Sequence, residues 1–307
     1  MSDEPRPPEE GGGGYWPPYN RSQTSEKTNV IGLLHKLCQT VTEELPSLRR
    51  PRWPLREILF CLIYKVYANL ASRPLEDDLE RLQKEGYLSR VPHFNCLPGY
   101  MRNKEVTPFL ERLIGVTGLV LRNFETDFAV DSTKLYKPRC YIHVDKKTGR
   151  KSRRRERLKL HLICGTETRI VTAARVSSMW EPDLQHFRPL FDRTLDLGFN
   201  MHIIRGDKGY WSPTQMLYVR KKGVEPVFTP KRRDRRKGGA GQTGVGGNTR
   251  RGQVETVNFM ISAKFRKRLL SVDPVAQVNE AFCKVIGHNL RVLNIEAHLR
   301  GITVDFQ

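Results

Sequence analysis

Residues 202–210, His-Ile-Ile-Arg-Gly-Asp-Lys-Gly-Tyr, decide the fold class of this chain. An apolar pair that leads through glycine to a carboxylate is typical of a short buried strand that ends at a cleft. Residues 127–133, Asp-Phe-Ala-Val-Asp-Ser-Thr, repeat the arrangement earlier in the chain, with small polar residues after the aspartate. The sequence therefore predicts two strands that each end in a rigidly held carboxylate, Asp131 and Asp207.

Strand and helix patterns alternate around these two strands. From residue 127 the predicted order is strand, strand, strand, helix, strand, helix, strand, helix. The strands are predicted at 127–133, 158–164, 169–176, 202–204 and 226–229, and the helices at 182–197, 213–223 and 253–269. Ser212, Pro213 and Gln215 form the start signal of the second of these helices. The order predicts an α/β fold.

The N-terminal part of the chain differs in composition and in the spacing of its apolar residues. Residues 1–28 are rich in Pro, Gly and Glu, and we predict a disordered tail there. Residues 29–123 carry apolar positions at helical spacing, which predicts an all-helical domain. Its helices are predicted at 55–67, 74–84 and 107–122. The α/β domain then spans residues 124–307 and contains a basic, Gly-rich loop at 231–250.

The charge balance indicates a polyanionic partner. Lys and Arg number 53 against 33 Asp and Glu, which gives a net charge of +20 and a pI near 9.9. The longest apolar run, residues 55–70, contains Lys65 and is too short to span a membrane. The N-terminus has no signal-peptide pattern, and the six cysteines include no Cys-x-x-Cys pair. We therefore expect a nucleic-acid-binding protein and exclude membrane, secreted and zinc-cysteine classes.

A third acidic residue joins the two strand-end aspartates. Glu255 lies in the first turn of the last predicted helix. Three carboxylates offer hard oxygen ligands, which suit Mg²⁺ or Mn²⁺ and not Zn²⁺. Two such ions about 3.5–4 Å apart support phosphodiester chemistry. One acidic residue at a strand end is more often a turn former or an ion-pair partner, so the prediction depends on the order of all three.

The motifs together resemble those of DDE transposases from prokaryotic insertion sequences. They are Phe128-Ala-Val-Asp131-Ser-Thr, Asp207-Lys-Gly-Tyr210, Arg251-x-x-x-Glu255 and Lys159-Leu-His161. The resemblance implies a ribonuclease H-like catalytic core, with a mixed sheet flanked by helices after a helical DNA-binding domain. It also implies that Asp131, Asp207 and Glu255 are the catalytic residues and hold two Mg²⁺ or Mn²⁺ ions.

The implied activity is cut-and-paste transposition of an insertion sequence. Its partners would be the double-stranded DNA of transposon ends and target, bound by a homodimer or larger synaptic complex in the nucleoid-associated cytoplasm of a prokaryotic cell. Two positions depart from the family pattern. Asn248 replaces a frequent tyrosine and Ser262 a frequent lysine, for which Lys264 is a substitute.

Basic residues near the motifs are candidates for binding DNA. Runs of them occur at 146–159, 231–237 and 264–268. We expect DNA to be bound by Lys159, His161, Lys208, Lys231, Arg232, Arg233, Arg235, Arg236, Arg251 and Lys264. A buried histidine with its hydrogen bonds satisfied is an equal alternative for His161.

Two rival functions fit the same residues. One is a nuclease of the same fold that cuts without rejoining strands. The other is a non-catalytic DNA-binding protein that retains the transposase shell. The intact acidic triad favours an enzyme, because a protein that only binds an anion has no need of clustered carboxylates.

Overall fold

A computed structural model describes residues 15–45, 53–144, 149–228 and 247–306. Helices form the N-terminal part: α1 (Trp16–Thr24), α2 (Glu26–Gln39), α3 (Leu55–Ala68), α4 (Leu75–Lys84), α5 (Cys96–Met101) and α6 (Val106–Leu119). The three helices predicted here from apolar spacing correspond to α3, α4 and α6 and are confirmed. No described helix is long and apolar enough to cross a membrane.

The predicted disordered tail is wrong for residues 15–28, which form α1 and the start of α2. Composition alone missed the interactions that hold this segment on the protein. Ser22 is fully buried, and its carbonyl accepts a hydrogen bond of 2.8 Å from Asn294 Nδ2. Glu26 accepts 2.8 Å from Arg291 Nε and 3.0 Å from Lys264 Nζ. Residues 1–14 lie outside the described part of the chain.

The second half forms the predicted α/β structure. Its elements are β1 (Asp127–Val144), β2 (Lys151–Gly165), β3 (Val171–Ser178), α7 (Leu184–Asp196), β4 (Ile203–Gly206), α8 (Pro213–Lys221), β5 (Glu225–Phe228), α9 (Gly247–Phe265) and α10 (Pro274–Arg300). The strands lie in the order β3-β2-β1-β4-β5. β1, β2 and β3 pair antiparallel, whereas β4 pairs parallel with β1 and with β5. The sheet is mixed and flanked by helices, which confirms the fold class.

The first two strands run well past the edge of the sheet. β4 pairs with β1 only as far as Val130, and β3 pairs with β2 only from Leu158 onward. Beyond these points residues 137–144 and 151–157 form a two-stranded arm, which we call the basic ribbon. The sequence prediction ended the first strand at residue 133 and began the second at residue 158. It missed the ribbon because the exposed cations there give no alternation of apolar and polar residues.

Helix α10 was not predicted, although it joins the two halves of the molecule. It begins at the N-cap Asp273, whose side chain accepts 3.0 Å from Ala276 N, and it ends at Gly301 in the left-handed conformation. Most of its residues are buried, and it packs against α1, α3, α6 and β3. Asn289 bonds both N and O of Val171 on β3. One hydrophobic cluster therefore extends from the N-terminal helices into the sheet, and the predicted domain boundary near residue 123 stays a prediction.

Candidate active site

The parallel pairing of β1 with β4 brings Asp131 and Asp207 to neighbouring positions. Val130 on β1 pairs with Gly206, the last residue of β4, so Asp207 is the first residue after its strand. Asp131 follows Val130 but does not end its strand as predicted, because β1 continues in pairing with β2 as far as Val144. Gly206 is required at this point because a β-carbon there would overlap Phe228 and Val130. The parallel pairing of the two strands ends at this point, so both aspartates lie at the same edge of that pairing. Both are partly exposed.

The Asp207-Lys-Gly-Tyr turn is held by its own hydrogen bonds. Asp207 Oδ1 accepts 2.7 Å from Lys208 N, and Asp207 O accepts 3.0 Å from Tyr210 N. The ring of Tyr210 is buried, and its hydroxyl lies 2.7 Å from His161 Nδ1. Burial raises the pKa of Tyr210, so the hydroxyl stays protonated at neutral pH. The tyrosine thus anchors the Asp207 turn in the core.

His161 is corrected from a DNA-binding residue to a core residue, because it is fully buried. Its Nε2 lies 2.8 Å from Ser177 Oγ, and its ring stacks on His186 at 4.4 Å. Burial and the neighbouring His186 lower the pKa of His161 to about 4, so the ring is neutral at pH 7. A neutral ring behind the cleft supports Tyr210 and does not reach solvent.

Lys159 is engaged within the protein. Its Nζ donates 2.7 Å to the carbonyl of Glu181 and 2.8 Å to Asp183 Oδ1. Asp183 in turn lies against Gly209, where a β-carbon would be 3.0 Å from Asp183 Oδ2. Lys159 therefore fastens the turn after β3 to the Asp207 turn, and its binding to DNA stays a prediction.

Helix α9 approaches the cleft through Asn258. The side-chain nitrogen of Asn258 donates 3.0 Å to Asp131 Oδ2. Glu255 lies one turn earlier on the same helix and is exposed. The sequence prediction placed Glu255 at this site and missed Asn258. The only feature of the sequence that could have indicated Asn258 is its position three residues after Glu255, on the same side of a helix.

The other residues predicted to bind DNA have different surroundings. Lys208 is exposed on the Asp207 turn. Lys264 donates 3.0 Å to Glu26 on α2 and lies over the ring of Tyr67, so it holds the N-terminal helices. Arg251 belongs to α9, but its side chain is outside the described part of the chain. Lys231, Arg232, Arg233, Arg235 and Arg236 also lie outside the described residues.

The metal prediction has mixed support from the geometry. Within the described ranges, no three His, Cys, Asp or Glu side chains lie close enough together to hold an ion. The donors that are present do fit a hard divalent cation. Asn258 donates to the Asp131 carboxylate through Nδ2, and its Oδ1 is buried without a hydrogen-bond partner. The carboxylates of Asp131 and Asp207 are hard oxygen donors of the kind that Mg²⁺ or Mn²⁺ prefers.

Comparison with known proteins agrees with this arrangement. No curated protein and no solved structure matches the chain. A family model described as the transposase DDE domain matches residues 122–290, more than half of the chain. The match begins just before β1, covers the sheet with both aspartates and α9, and extends into α10. The chain therefore belongs to the transposase DDE domain family.

Proposed function

We propose that this protein is a DNA transposase that cuts DNA at the ends of an insertion sequence and joins the freed ends to a target. The observation that carries the proposal is the parallel pairing of Val130 with Gly206, since the two candidate aspartates, Asp131 and Asp207, directly follow these residues. Family membership supports the same function. Tyr210 and His161 support the Asp207 turn from the core, and Asn258 donates to Asp131, which restricts both carboxylates as catalysis requires.

The residues have distinct roles in the proposed mechanism. Asp131 and Asp207 would hold divalent cations, and Glu255 on α9 would be a third carboxylate for them. When bound, such a pair of ions activates the attacking oxygen and stabilises the leaving oxygen. Arg251, four residues before Glu255, steadies a phosphate or the glutamate. Water attacks first at the transposon end, and the released 3′-hydroxyl then attacks target DNA.

The basic ribbon supplies a surface for duplex DNA. Its cations are Lys137, Arg139, Lys151, Arg153, Arg154, Arg155 and Arg157, and the acidic residue among them is Glu156. Tyr136 at its base bonds another basic segment: Tyr136 N donates 2.8 Å to Lys267 O and Tyr136 O accepts 2.8 Å from Leu269 N. Residues 151–159 of the basic run at 146–159 therefore lie on the strand that pairs with β1, and the run at 264–268 bonds to β1 itself. Both runs flank the strand that carries Asp131. Binding of phosphates here positions the duplex without reading its sequence.

A cleavage and joining assay tests the proposed function. Purified protein is mixed with Mg²⁺, a labelled duplex of a candidate transposon end and a supercoiled plasmid, and the products are sized on a gel. We expect cleaved ends and labelled plasmid. Cleavage without labelled plasmid supports the rival nuclease. Binding without cleavage, in Mg²⁺ and in Mn²⁺, supports the non-catalytic DNA-binding protein.

A synaptic complex is the expected assembly because two ends are cut together. Sedimentation of the protein with end duplexes measures this directly. We expect at least two chains per complex with two duplexes, and a strictly monomeric complex would contradict the cut-and-paste scheme.

A further inference from the structure

A tryptophan lies in solvent at the turn that follows β3. Trp180 is 92% exposed, more than any other large hydrophobic residue that the structure describes. Tryptophan is highly buried on average in folded proteins, and exposing its indole forgoes hydrophobic free energy. A single exposed apolar side chain is common by itself, so its meaning depends on how this turn is held and on what lies beside it.

Hydrogen bonds fix the turn on both sides of Trp180. Glu181 N donates 3.3 Å to the carbonyl of Ser178, and Ser178 N donates 2.9 Å to Glu181 Oε1. Lys159 Nζ donates 2.7 Å to the carbonyl of Glu181. The backbone is therefore anchored to β2 and to itself, and the indole extends from this fixed turn into solvent.

The same turn adjoins the candidate catalytic turn at Asp207. Lys159 Nζ also donates 2.8 Å to Asp183 Oδ1. Asp183 lies against Gly209, where a β-carbon would be 3.0 Å from Asp183 Oδ2. Gly209 comes two residues after Asp207, so a short series of contacts joins the turn of Trp180 to the turn of Asp207. The exposed indole is thus held near a residue of the proposed site.

We propose that Trp180 stacks on the terminal nucleobase of a cut DNA end. The inference rests on the proposed function, since it concerns the DNA end that cleavage produces. In a continuous duplex each base is stacked between two neighbours, and a break removes one neighbour from the base beside it. The flat face of an indole can replace that neighbour, and stacking of this kind accepts every base because every base has a π-face.

Stacking supplies a selectivity that the basic surfaces lack. Lysine and arginine bind phosphates anywhere along a duplex, whereas an indole face distinguishes a strand end from continuous DNA. A cut end held by its terminal base keeps its 3′-hydroxyl near the Asp207 turn, where the joining step of the proposed function takes place. Trp180 therefore selects DNA ends without reading their sequence.

Binding to open and closed duplexes tests the proposal. The full chain is titrated, without divalent cations, against a blunt duplex and against the same duplex closed at both ends by non-nucleotide linkers. Fluorescence anisotropy of an internal label reports affinity. We expect the wild type to prefer the open duplex. Trp180→Ala is expected to weaken binding to the open duplex by about 5- to 150-fold, which corresponds to about 1–3 kcal/mol for one stacked base, and to leave the closed duplex unchanged.

Two further variants control this titration. Trp180→Phe retains an aromatic face, and we expect it to retain most of the preference for open ends. Trp16→Ala removes an exposed tryptophan of α1 and serves as the matched control, which we expect to behave as the wild type. A wild-type protein without preference for open ends overturns the proposal, and so does a preference that survives in Trp180→Ala.

A spectroscopic measurement detects the stacking itself. 2-Aminopurine is placed at the 3′-terminal position of the open duplex, where contact with an indole quenches its fluorescence. We expect the complex with the wild type to be darker than the complex with Trp180→Ala, and 2-aminopurine at an internal position to be equally bright in both. Equal emission from the terminal position at saturating protein contradicts the proposal.

Joining of pre-cut ends to a plasmid in Mg²⁺ distinguishes this inference from the proposed function. If the wild type joins ends and Trp180→Ala keeps both joining and end preference, the inference fails and the proposed function stands. If neither protein cleaves or joins while end preference depends on Trp180, the proposed function fails and the stacking stands as DNA binding alone. A changed number of chains per complex with unchanged end preference would assign Trp180 to a contact between chains and overturn the inference.

Discussion

At the scale of single residues, the cleft combines two aspartates with a buried polar support. The Asp207 turn is tied to the core through Tyr210, and Tyr210 through His161 to Ser177. Buried hydrogen-bond networks of this kind fix side chains only when every member is satisfied. The position of the Asp207 turn therefore depends on buried residues that lie behind it in the core.

Substitution of either aspartate is expected to separate cleavage from binding. Asp131→Asn or Asp207→Asn replaces a carboxylate of the proposed metal site by a neutral amide and removes one negative charge near the proposed DNA path. We expect cleavage to be abolished and duplex binding to be unchanged or tighter, measured by gel-sized cleavage products and by fluorescence anisotropy. Near wild-type cleavage by one variant would show that the assignment of that aspartate is wrong.

The two aspartates could be predicted from sequence, but their supports could not. An apolar run that ends in Asp-Ser-Thr or Asp-Lys-Gly is a local pattern, and it identified Asp131 and Asp207. His161, Ser177 and Tyr210 come from three distant segments, so nothing local shows that they meet. Asn258 was missed for the same reason, because its hydrogen-bond partner Asp131 lies on another element, β1.

At the scale of elements, β1 and α10 explain most differences from the sequence prediction. β1 continues as the basic ribbon although its sequence becomes charged. Backbone pairing with β2 maintains the strand there without an apolar face. An isolated two-stranded ribbon is only marginally stable in water. A bound polyanion would neutralise its cations, which suits a segment that meets DNA.

Neutralising the ribbon is expected to weaken DNA binding in a salt-dependent manner. Arg153, Arg154 and Arg155 are exposed, and we expect their replacement by Gln to weaken binding to specific and random duplexes alike. The log–log salt slope should fall in magnitude by up to about 0.9 for each phosphate that the variant no longer neutralises. The matched control replaces Arg220, Lys221 and Lys222, exposed cations at the end of α8. Identical slopes for the two triple variants would exclude a special role for the ribbon.

Helix α10 carries a buried histidine that makes the fold sensitive to acid. Burial, together with the charges of Arg291 and Arg169, lowers the pKa of His288 to about 4, although its hydrogen bond of 3.0 Å to the Arg169 carbonyl opposes this shift. The unfolded chain takes up the proton near pH 6.5, whereas the folded chain does so only near pH 4. The contribution of His288 to stability is therefore fully present above about pH 6.5 and is lost as the pH falls towards 4.

Replacing this histidine is expected to flatten the acid dependence. A shift from about 6.5 to about 4 corresponds to a loss of about 3 kcal/mol of unfolding free energy across that range. His288→Gln retains a donor for the Arg169 carbonyl and has no proton to gain. Urea unfolding at pH 7, 5.5 and 4 measures the difference, and parallel losses in both proteins would contradict the assignment.

At the scale of the whole molecule, the N-terminal helices and the sheet share one framework built around α10. The sequence predicted the helices and strands of both halves because each has its own periodicity. It could not predict that residues 15–28 are ordered, since the stabilising partners Arg291, Asn294 and Lys264 lie more than 200 positions away. Long-range polar interactions leave no periodic pattern in either segment.

Removal of the N-terminal segment is expected to destabilise the entire chain. Deleting residues 1–28 strips α1 from α10 and leaves Arg291 and Lys264 without the Glu26 carboxylate. Breaking a partly buried charged network by removing one partner costs about 3–5 kcal/mol, and each kcal/mol lowers the melting temperature of a chain of this size by about 2–4 °C. We therefore expect the melting temperature to fall by on the order of 10 °C, measured by differential scanning fluorimetry.

Deletion of residues 1–14 is the control because it retains Ser22 and Glu26, and Glu26→Gln isolates the contribution of the charge. Equal melting temperatures for the two truncations would show that α1 and Glu26 contribute nothing to stability, and the framework around α10 would then end at α2.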